Sequence, residues 1–223
     1  SPIVPAEENL LKVSATATLD AAGTVRTKAH IAFDGINDNA YRGALARMKP
    51  DDKRRLFERF LKRRMPGATL NALKLTPEDA MDVSTPLQAD LEFTVTGMSA
   101  AGKGKAVVRL PWIAGGMGIV NFVLEGTGLD KRKYPLRTGI ACGVVEHLTV
   151  KLGEGYTGGI SMPSYPPIND PSLGYQRSVV LTNGQLECGS SFKLKTVQFS
   201  PAQYLELKRS LKALDYDRRK APV

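Results

Sequence analysis

Apolar and polar residues alternate without a break from Leu11 to Leu19, with Leu11, Val13, Ala15, Ala17 and Leu19 on one side and Lys12, Ser14, Thr16 and Thr18 on the other. Successive side chains of a strand point to opposite faces, so this period of two specifies a half-buried strand and excludes a helix. Asp20-Ala-Ala-Gly23 follows, pairing an aspartate that can bond its own backbone with a glycine free to take positive φ. The alternation then resumes from Val25 to Phe33, and the chain opens with a hairpin.

The same period returns at Ala68 to Leu75 and at Leu87 to Val95, where Ala89, Leu91, Phe93 and Val95 oppose Asp90, Glu92, Thr94 and Thr96. Lys105 to Leu110 reads as a neighbour of that strand, and Val144 to Leu152, Tyr175 to Thr182 and Leu186 to Val197 as later ones. Asn183-Gly184 joins the last two; both residues tolerate positive φ, so this is the strongest hairpin signal in the chain. Between Pro111 and Pro135 the glycine-rich sequence reads as irregular chain with one short strand near Ile119 to Val123.

Helical spacing interrupts this pattern twice. A short helix is expected near Ala40 to Met48, and a longer one from about Pro50 to Met65 carries Leu56, Phe57, Phe60 and Leu61 as one stripe. At the C-terminus Ser200 can cap, Pro201 fits the first helical position, Gln203 completes a capping box and Phe199 can staple onto Tyr204. Tyr204, Leu207, Leu211 and Leu214 then repeat at helical spacing. The expected fold class is mainly β: an antiparallel β-sandwich with a two-helix insertion and a C-terminal helix packed on the sheet. Residues 1–223 form one module on this reading, or two lobes at 1–135 and 136–223.

With 42% hydrophobic and 24% charged residues, the chain can bury a core. No apolar run reaches the length of a spanning helix, and a first residue other than Met points to a processed protein or to an excised fragment whose targeting signal lay upstream. The net charge of +9 would suit an anionic partner if it converged. Its densest cluster, Lys53, Arg54, Arg55, Arg59, Lys62, Arg63 and Arg64, instead reads as the solvated side of a helix without interleaved aromatic rings. No nucleic-acid partner is expected, and any such binding should be weak and salt-sensitive.

Candidate chemistry is sparse. Cys142 and His147 invite a nucleophile-and-base reading, but five residues apart on one strand they point to opposite faces. His30 has the polar parity of its strand and reads as a surface residue. Two histidines and two cysteines lack CxxC or HxxxH spacing, so no metal site is expected. Cys142 and Cys188 share the parity of apolar neighbours, which leaves a disulfide or two core thiols open. Ala101-Gly-Lys-Gly-Lys105 and Gly115-Gly-Met-Gly118 complete no phosphate-binding motif and read as turns. Glu7 with Glu8 and Asp51 with Asp52 need only solvation and helix capping, and GxSxG is absent. No catalytic residue and no cofactor are therefore assigned. Trp112, Tyr156, Tyr165 and Tyr175, placed near proposed loops, are candidate ligand-facing aromatics.

The ordered segments ENLLKVSATATLDAAGTVRTKAHIAFDG, PDDKRRLFERFLKRRMPGATL, LQADLEFTV, RKYPL, EHLTVKLGEGY, YQRSVVLTNGQLE and FSPAQYLELKRSLKALD, behind a Pro-rich lead-in, span nearly the whole chain. Together they resemble the C-terminal region of exported bacterial transglutaminase-like proteins, in which a β-rich N-terminal domain of unknown function precedes a papain-like transglutaminase domain and a β-rich domain follows. The resemblance implies a periplasmic or extracellular location. It also implies a catalytic Cys, His and Asp in the upstream domain, so that Cys142 and His147 inherit no catalytic role. The expected function is a non-catalytic structural or interaction module whose partner is the neighbouring domain or an unknown protein. The alternative is a carbohydrate-binding or cell-surface adhesion module built around the aromatics above.

Overall fold

The computed structural model describes residues 3–102, 105–156 and 159–223. Lys103 and Gly104 of the Ala101–Lys105 segment, and Thr157 and Gly158 of the proline-rich loop, lie outside the described residues. The opening hairpin is formed by β1 (Leu10–Leu19) and β2 (Val25–Phe33), with the Gly23 N–H donating to Asp20 O at 3.0 Å and Gly23 at φ +77°. The insertion follows as α1 (Ile36–Leu45) and α2 (Pro50–Arg64). α1 begins four residues ahead of the expected Ala40, because Gly35 at its start takes a positive φ that turns the chain directly out of β2.

Next come β3 (Ala68–Thr76) and β4 (Gln88–Val95). A bulge at Asn71 resets the parity of β3, so that Leu73 and Leu75 stay on the apolar side with Leu70. The segment expected to flank β4 forms a separate ribbon instead: β5 (Ser99–Gly102) pairs with β6 (Lys105–Val108). The strand expected at Ile119–Val123 is helical. α3 (Ala114–Met117) and α4 (Val120–Val123) are single turns that bury Met117, Val120 and Val123, a spacing of three residues that apolar content alone does not distinguish from a strand.

Short β7 (Leu136–Arg137) leads to β8 (Cys142–Leu152), β9 (Ile168–Asn169), β10 (Leu173–Thr182) and β11 (Gln185–Leu194). Asn183 at φ +50° and Gly184 at φ +78° make the tight turn between β10 and β11. Then β12 (Gln198–Phe199) pairs with β7 and runs into α5 (Pro201–Asp217). The capping box of α5 is complete: Gln203 N–H donates to Ser200 Oγ at 3.2 Å, and Ser200 N–H to Gln203 Oε1 at 2.9 Å.

The fold is mainly β with inserted helices and a closing helix, and its eight-stranded sheet has the order β3-β4-β2-β1-β8-β11-β10-β9. Every pair in it is antiparallel except β1 with β8, which run parallel at the centre, so the sheet is mixed and crosses residue 135 without a break. One face is covered by helices, small ribbons and irregular chain; Phe57 of α2 and Tyr204 of α5 are fully buried there with Phe33 and Phe93 of the sheet. The other face is mostly polar, as the solvated side of a sheet covered on one face only should be. No described helix is long and apolar enough to cross a membrane.

Leu207 and Leu214 of α5 are buried, whereas Leu211 is only half-buried. Leu207→Ala should lower unfolding free energy in urea by about 2–5 kcal/mol, and Leu211→Ala by about 1 kcal/mol or less. Equal losses at both positions would refute this seating of the helix.

Candidate functional site

The sheet separates the candidate residues. On its open face Lys74, Asp90, His30, Ser14, His147, Gly189 and Ser178 form one row across neighbouring strands. His30 Nδ1 lies 2.8 Å from Asp90 Oδ1, and Lys28 pairs with Glu92 at 3.0 Å in the next row. Asp90, His30 and Ser14 include the residue types of a hydrolytic triad. Among the described residues, however, Ser14 makes no hydrogen bond to either imidazole, and the row lies on an open surface without a facing donor pair. Its chemistry is that of a solvated charge ladder.

The cysteines lie on the covered face. Both are free, buried thiols; burial pushes Cys142 up to about 11 and Cys188 up to about 12. Cys142 pairs in register with Leu194 and Cys188 with Leu148, so six residue steps along the strands separate them, roughly 20 Å. A disulfide needs Cα atoms within about 7 Å, which settles the open alternative in favour of core thiols. His147 projects from the opposite face to Cys142.

Three of the four candidate aromatics, Trp112, Tyr165 and Tyr175, converge, and the first two have cations over their rings. Arg177 Cζ lies 4.4 Å from the Trp112 ring centroid and 5.5 Å from that of Tyr165, while Lys220 Nζ lies 5.5 Å from Tyr165. Tyr175 is buried. Tyr156 is half-buried elsewhere, its hydroxyl donating to Asp20 O at 3.4 Å. Ring faces already occupied by guanidinium and ammonium groups are a poor platform for a sugar.

The same cluster borders a pocket of about 190 Å³ between β8, β10, β11, α3 and the C-terminal ends of α2 and α5. At its floor Glu146 is 2% exposed and accepts backbone N–H groups of Ile113 at 2.8 Å and Ala114 at 3.0 Å. Burial is the largest influence on this carboxyl and pushes it up to about 7, against the two N–H donors and the charges of Arg177 and Arg64. Across β11, with only Ser190 between, stands Arg177. Among the described residues its Nε is buried without a hydrogen-bond partner, as is the hydroxyl of Tyr175, which burial pushes up to about 12; Arg177 and Asp217 lie near that hydroxyl but outside bonding geometry.

Arg64 and Arg218 stand at the mouth. The Nη2 atoms of both lie 3.9 Å from where a Cβ on Gly115 would sit. Burial, then repulsion from Arg218, holds Arg64 below its usual range, although the residue as a whole remains exposed at the rim. Contrast Arg42, buried in α1: it pairs with Asp38 and donates to the carbonyls of Ala80, Asp82 and Thr85, a saturated structural cation. Unlike Arg42, the arginine cluster at the pocket has donors to spare.

Sequence parity could have found half of this site. Glu146 shares the parity of Val144, Leu148 and Val150, and Arg177 that of Tyr175 and Val179, so each is a charge at an inward position. Arg64 and Arg218 carry no such mark, because only the packing of α2 and α5 brings them together. Of the basic cluster, Arg55, Arg59, Lys62 and Arg63 face solvent, Lys53 and Arg54 are half-buried with Arg54 donating to Leu70 O, and Arg64, though exposed, reaches the pocket rim. Among the described residues, no group of three or more His, Cys, Asp or Glu side chains could hold a metal ion.

Glu146 makes the stability of the fold depend on pH. Its carboxyl holds a proton up to about pH 7 when folded and only to about pH 4.5 when unfolded, so the native state binds more protons between these values and loses stability as pH rises through them. The loss is on the order of 3 kcal/mol. Glu7, Asp20, Asp82 and Asp170 are all shifted downward and titrate below this window. Urea midpoints of the native protein should fall between about pH 5 and about pH 8, and those of Glu146→Gln should change much less; parallel profiles would rule out Glu146 as the source.

Residues 121–221 match the model of a family described as a domain of unknown function with solved-structure structure (DUF3858). The match runs from α4 to the end of α5 and contains β8, β10 and β11 but not β1 to β4, so it covers less than half of the chain and one side of the central sheet. No curated protein and no solved structure matches the chain. What the comparison shows is similarity to that domain family over the C-terminal part of the fold.

Proposed function

We propose that this chain is a non-catalytic structural or interaction module that accompanies a transglutaminase-like, papain-like domain in an exported bacterial protein, in the periplasm or outside the cell. One observation carries the reading: the sheet segregates its chemistry by face. The thiols lie beneath the covered face with their protons held by burial, and both imidazoles lie on the open face, so nucleophile and base types are separated by the thickness of the sheet. What remains on the open side is a surface seven strands wide, with hydroxyls of Ser14, Thr16, Thr149 and Ser178 at its centre and charge pairs beside them. Such a surface is suited to docking a neighbouring domain through hydrogen bonds and matched charges. The sequence resemblance supplies the identity of the neighbour and the exported location. The carbohydrate-binding alternative is less favoured, since Arg177 and Lys220 already lie over Trp112 and Tyr165, two of the four rings it would use.

His30 and His147 are the two histidines of the chain, and both report on the open face. Acylation by diethyl pyrocarbonate should be markedly slower for both in the full-length gene product than in this chain alone. Equal rates would show that the face stays open and remove the docking role. In parallel, the isolated chain should give no incorporation of a fluorescent primary amine into a glutamine peptide; turnover abolished by Cys142→Ala would overturn the non-catalytic assignment.

A further inference from the structure

We propose that the pocket between Trp112, Arg177, Glu146 and the Arg64–Arg218 rim is a binding site for a single carboxylate group, presented by a small organic acid or by an acidic side chain of a peptide segment. The proposal stands apart from the domain-docking reading, because this pocket opens on the covered side of the sheet.

Its first support is unused donor capacity. Three guanidinium groups reach the pocket from β10, α2 and α5, and Asp215, bonded to Arg218 at 2.9 Å, is the acid that pairs with one of them. Arg64 spends one bond on Gly115 O at 2.7 Å and is otherwise turned toward Arg218, a like charge. Holding two guanidinium groups over one glycine costs energy unless an anion comes between them. The second support is that two of the three buried side-chain polar atoms without partners among the described residues, Tyr175 Oη and Arg177 Nε, belong to residues that line the pocket, whereas the third, Thr27 Oγ1, lies elsewhere. Buried donors are rarely left unpaired, so the Arg177 Nε–H, and the Tyr175 O–H with Asp217 and Arg177 beside it, are groups from which a ligand oxygen would accept a hydrogen bond.

Size and charge narrow the class. A pocket of 190 Å³ lies below the roughly 300–1,000 Å³ typical of sites for whole drug-sized molecules, and so fits a head group rather than a nucleotide or a sugar ring. Glu146 at the floor disfavours a dianionic phosphate but suits a carboxylate, with which a protonated carboxyl can share its hydrogen. Arg177 can then turn a planar fork toward the ligand while its other face stays on Trp112.

Binding an anion beside Glu146 favours the protonated carboxyl, so affinity should rise as pH falls from about 8 toward about 6. The groups facing Glu146 are Arg64 from α2, Arg177 and Tyr175 from β10, and Arg218 with its partner Asp215 from α5.

Trp112 is the single tryptophan and lies under Arg177, so its fluorescence reads the site directly. The native chain would be titrated at constant ionic strength with succinate, with a capped glutamate tripeptide and with inorganic phosphate. A saturable change is expected with at least one carboxylate probe, weakened about tenfold in Arg177→Gln and in the exposed-rim variant Arg218→Gln, which should leave the fold intact. Tighter binding of succinate would identify a free acid as the ligand, and tighter binding of the peptide a protein segment. Glu146→Gln should bind with little dependence on pH. No saturable change with either carboxylate, a response untouched by both arginine substitutions, or phosphate binding as tightly as carboxylate would overturn the proposal.

Discussion

The parallel seam between β1 and β8 is the constraint on which the rest of the molecule depends. Each half of the sheet is built from antiparallel neighbours, β3-β4-β2-β1 on one side and β8-β11-β10-β9 on the other, and the two halves meet along ten register positions from Leu10–Gly143 to Leu19–Leu152. Parallel pairing bonds somewhat less well per residue, so the seam needs help at its start. Asn9 and Asn37 supply it. Asn9 donates through Nδ2 to Ala141 O at 2.9 Å, and its Oδ1 accepts Ile36 N–H at 2.9 Å. Asn37 donates to Asn9 O at 2.9 Å and accepts Ile119 N–H at 3.0 Å. Two buried amides thus tie β1, α1, β8 and the start of α4 together with their donors and acceptors satisfied, the condition under which a buried polar network specifies one arrangement.

Close packing at this corner explains two glycines. A Cβ on Gly35 would meet Glu8 O at 2.3 Å, and one on Gly143 would meet Phe192 O at 2.4 Å. Gly35 also sits at φ +54°, which other residues reach only with strain. The seam therefore fixes β8 in both register and height, with Val13 beside Glu146 and Ser190 on its other flank. The arginine pocket follows from this placement, since a slip of one residue would turn Glu146 to solvent and His147 inward.

The elements legible in the sequence are those whose evidence is local. Alternation along Leu11–Leu19, the Asn183-Gly184 turn and the Ser200–Gln203 box each depend on residues a few positions apart, and each forms as read. Features set by distant partners were not legible. Nothing in Lys105–Val108 says that it turns back on Ser99–Gly102 instead of joining β4, and nothing in β1 says that its second neighbour is β8 in the parallel sense. The short helices at Ala114–Met117 and Val120–Val123 are held by tertiary contacts: Glu146 receives the first N–H groups of one and Asn37 the Ile119 N–H before the other. Isolated helices this short are unstable, so no propensity could have announced them.

Glu146 shows why the same residue belongs to both the fold and the site. As a cap on the Ile113–Ala114 turn, its carboxylate form makes two charge-assisted bonds; as a group 2% exposed among Val13, Val144 and Leu148, it is desolvated and resists ionisation. Glutamine would fill the same space without that conflict, though it could accept only one of the two N–H groups. A fold selected for stability alone has little reason to place three arginines around such an acid without closing an ion pair, and among the described residues Glu146 makes none. Local rules broken at one place, within a chain that obeys them from β1 to α5, mark the position where binding rather than packing set the residues.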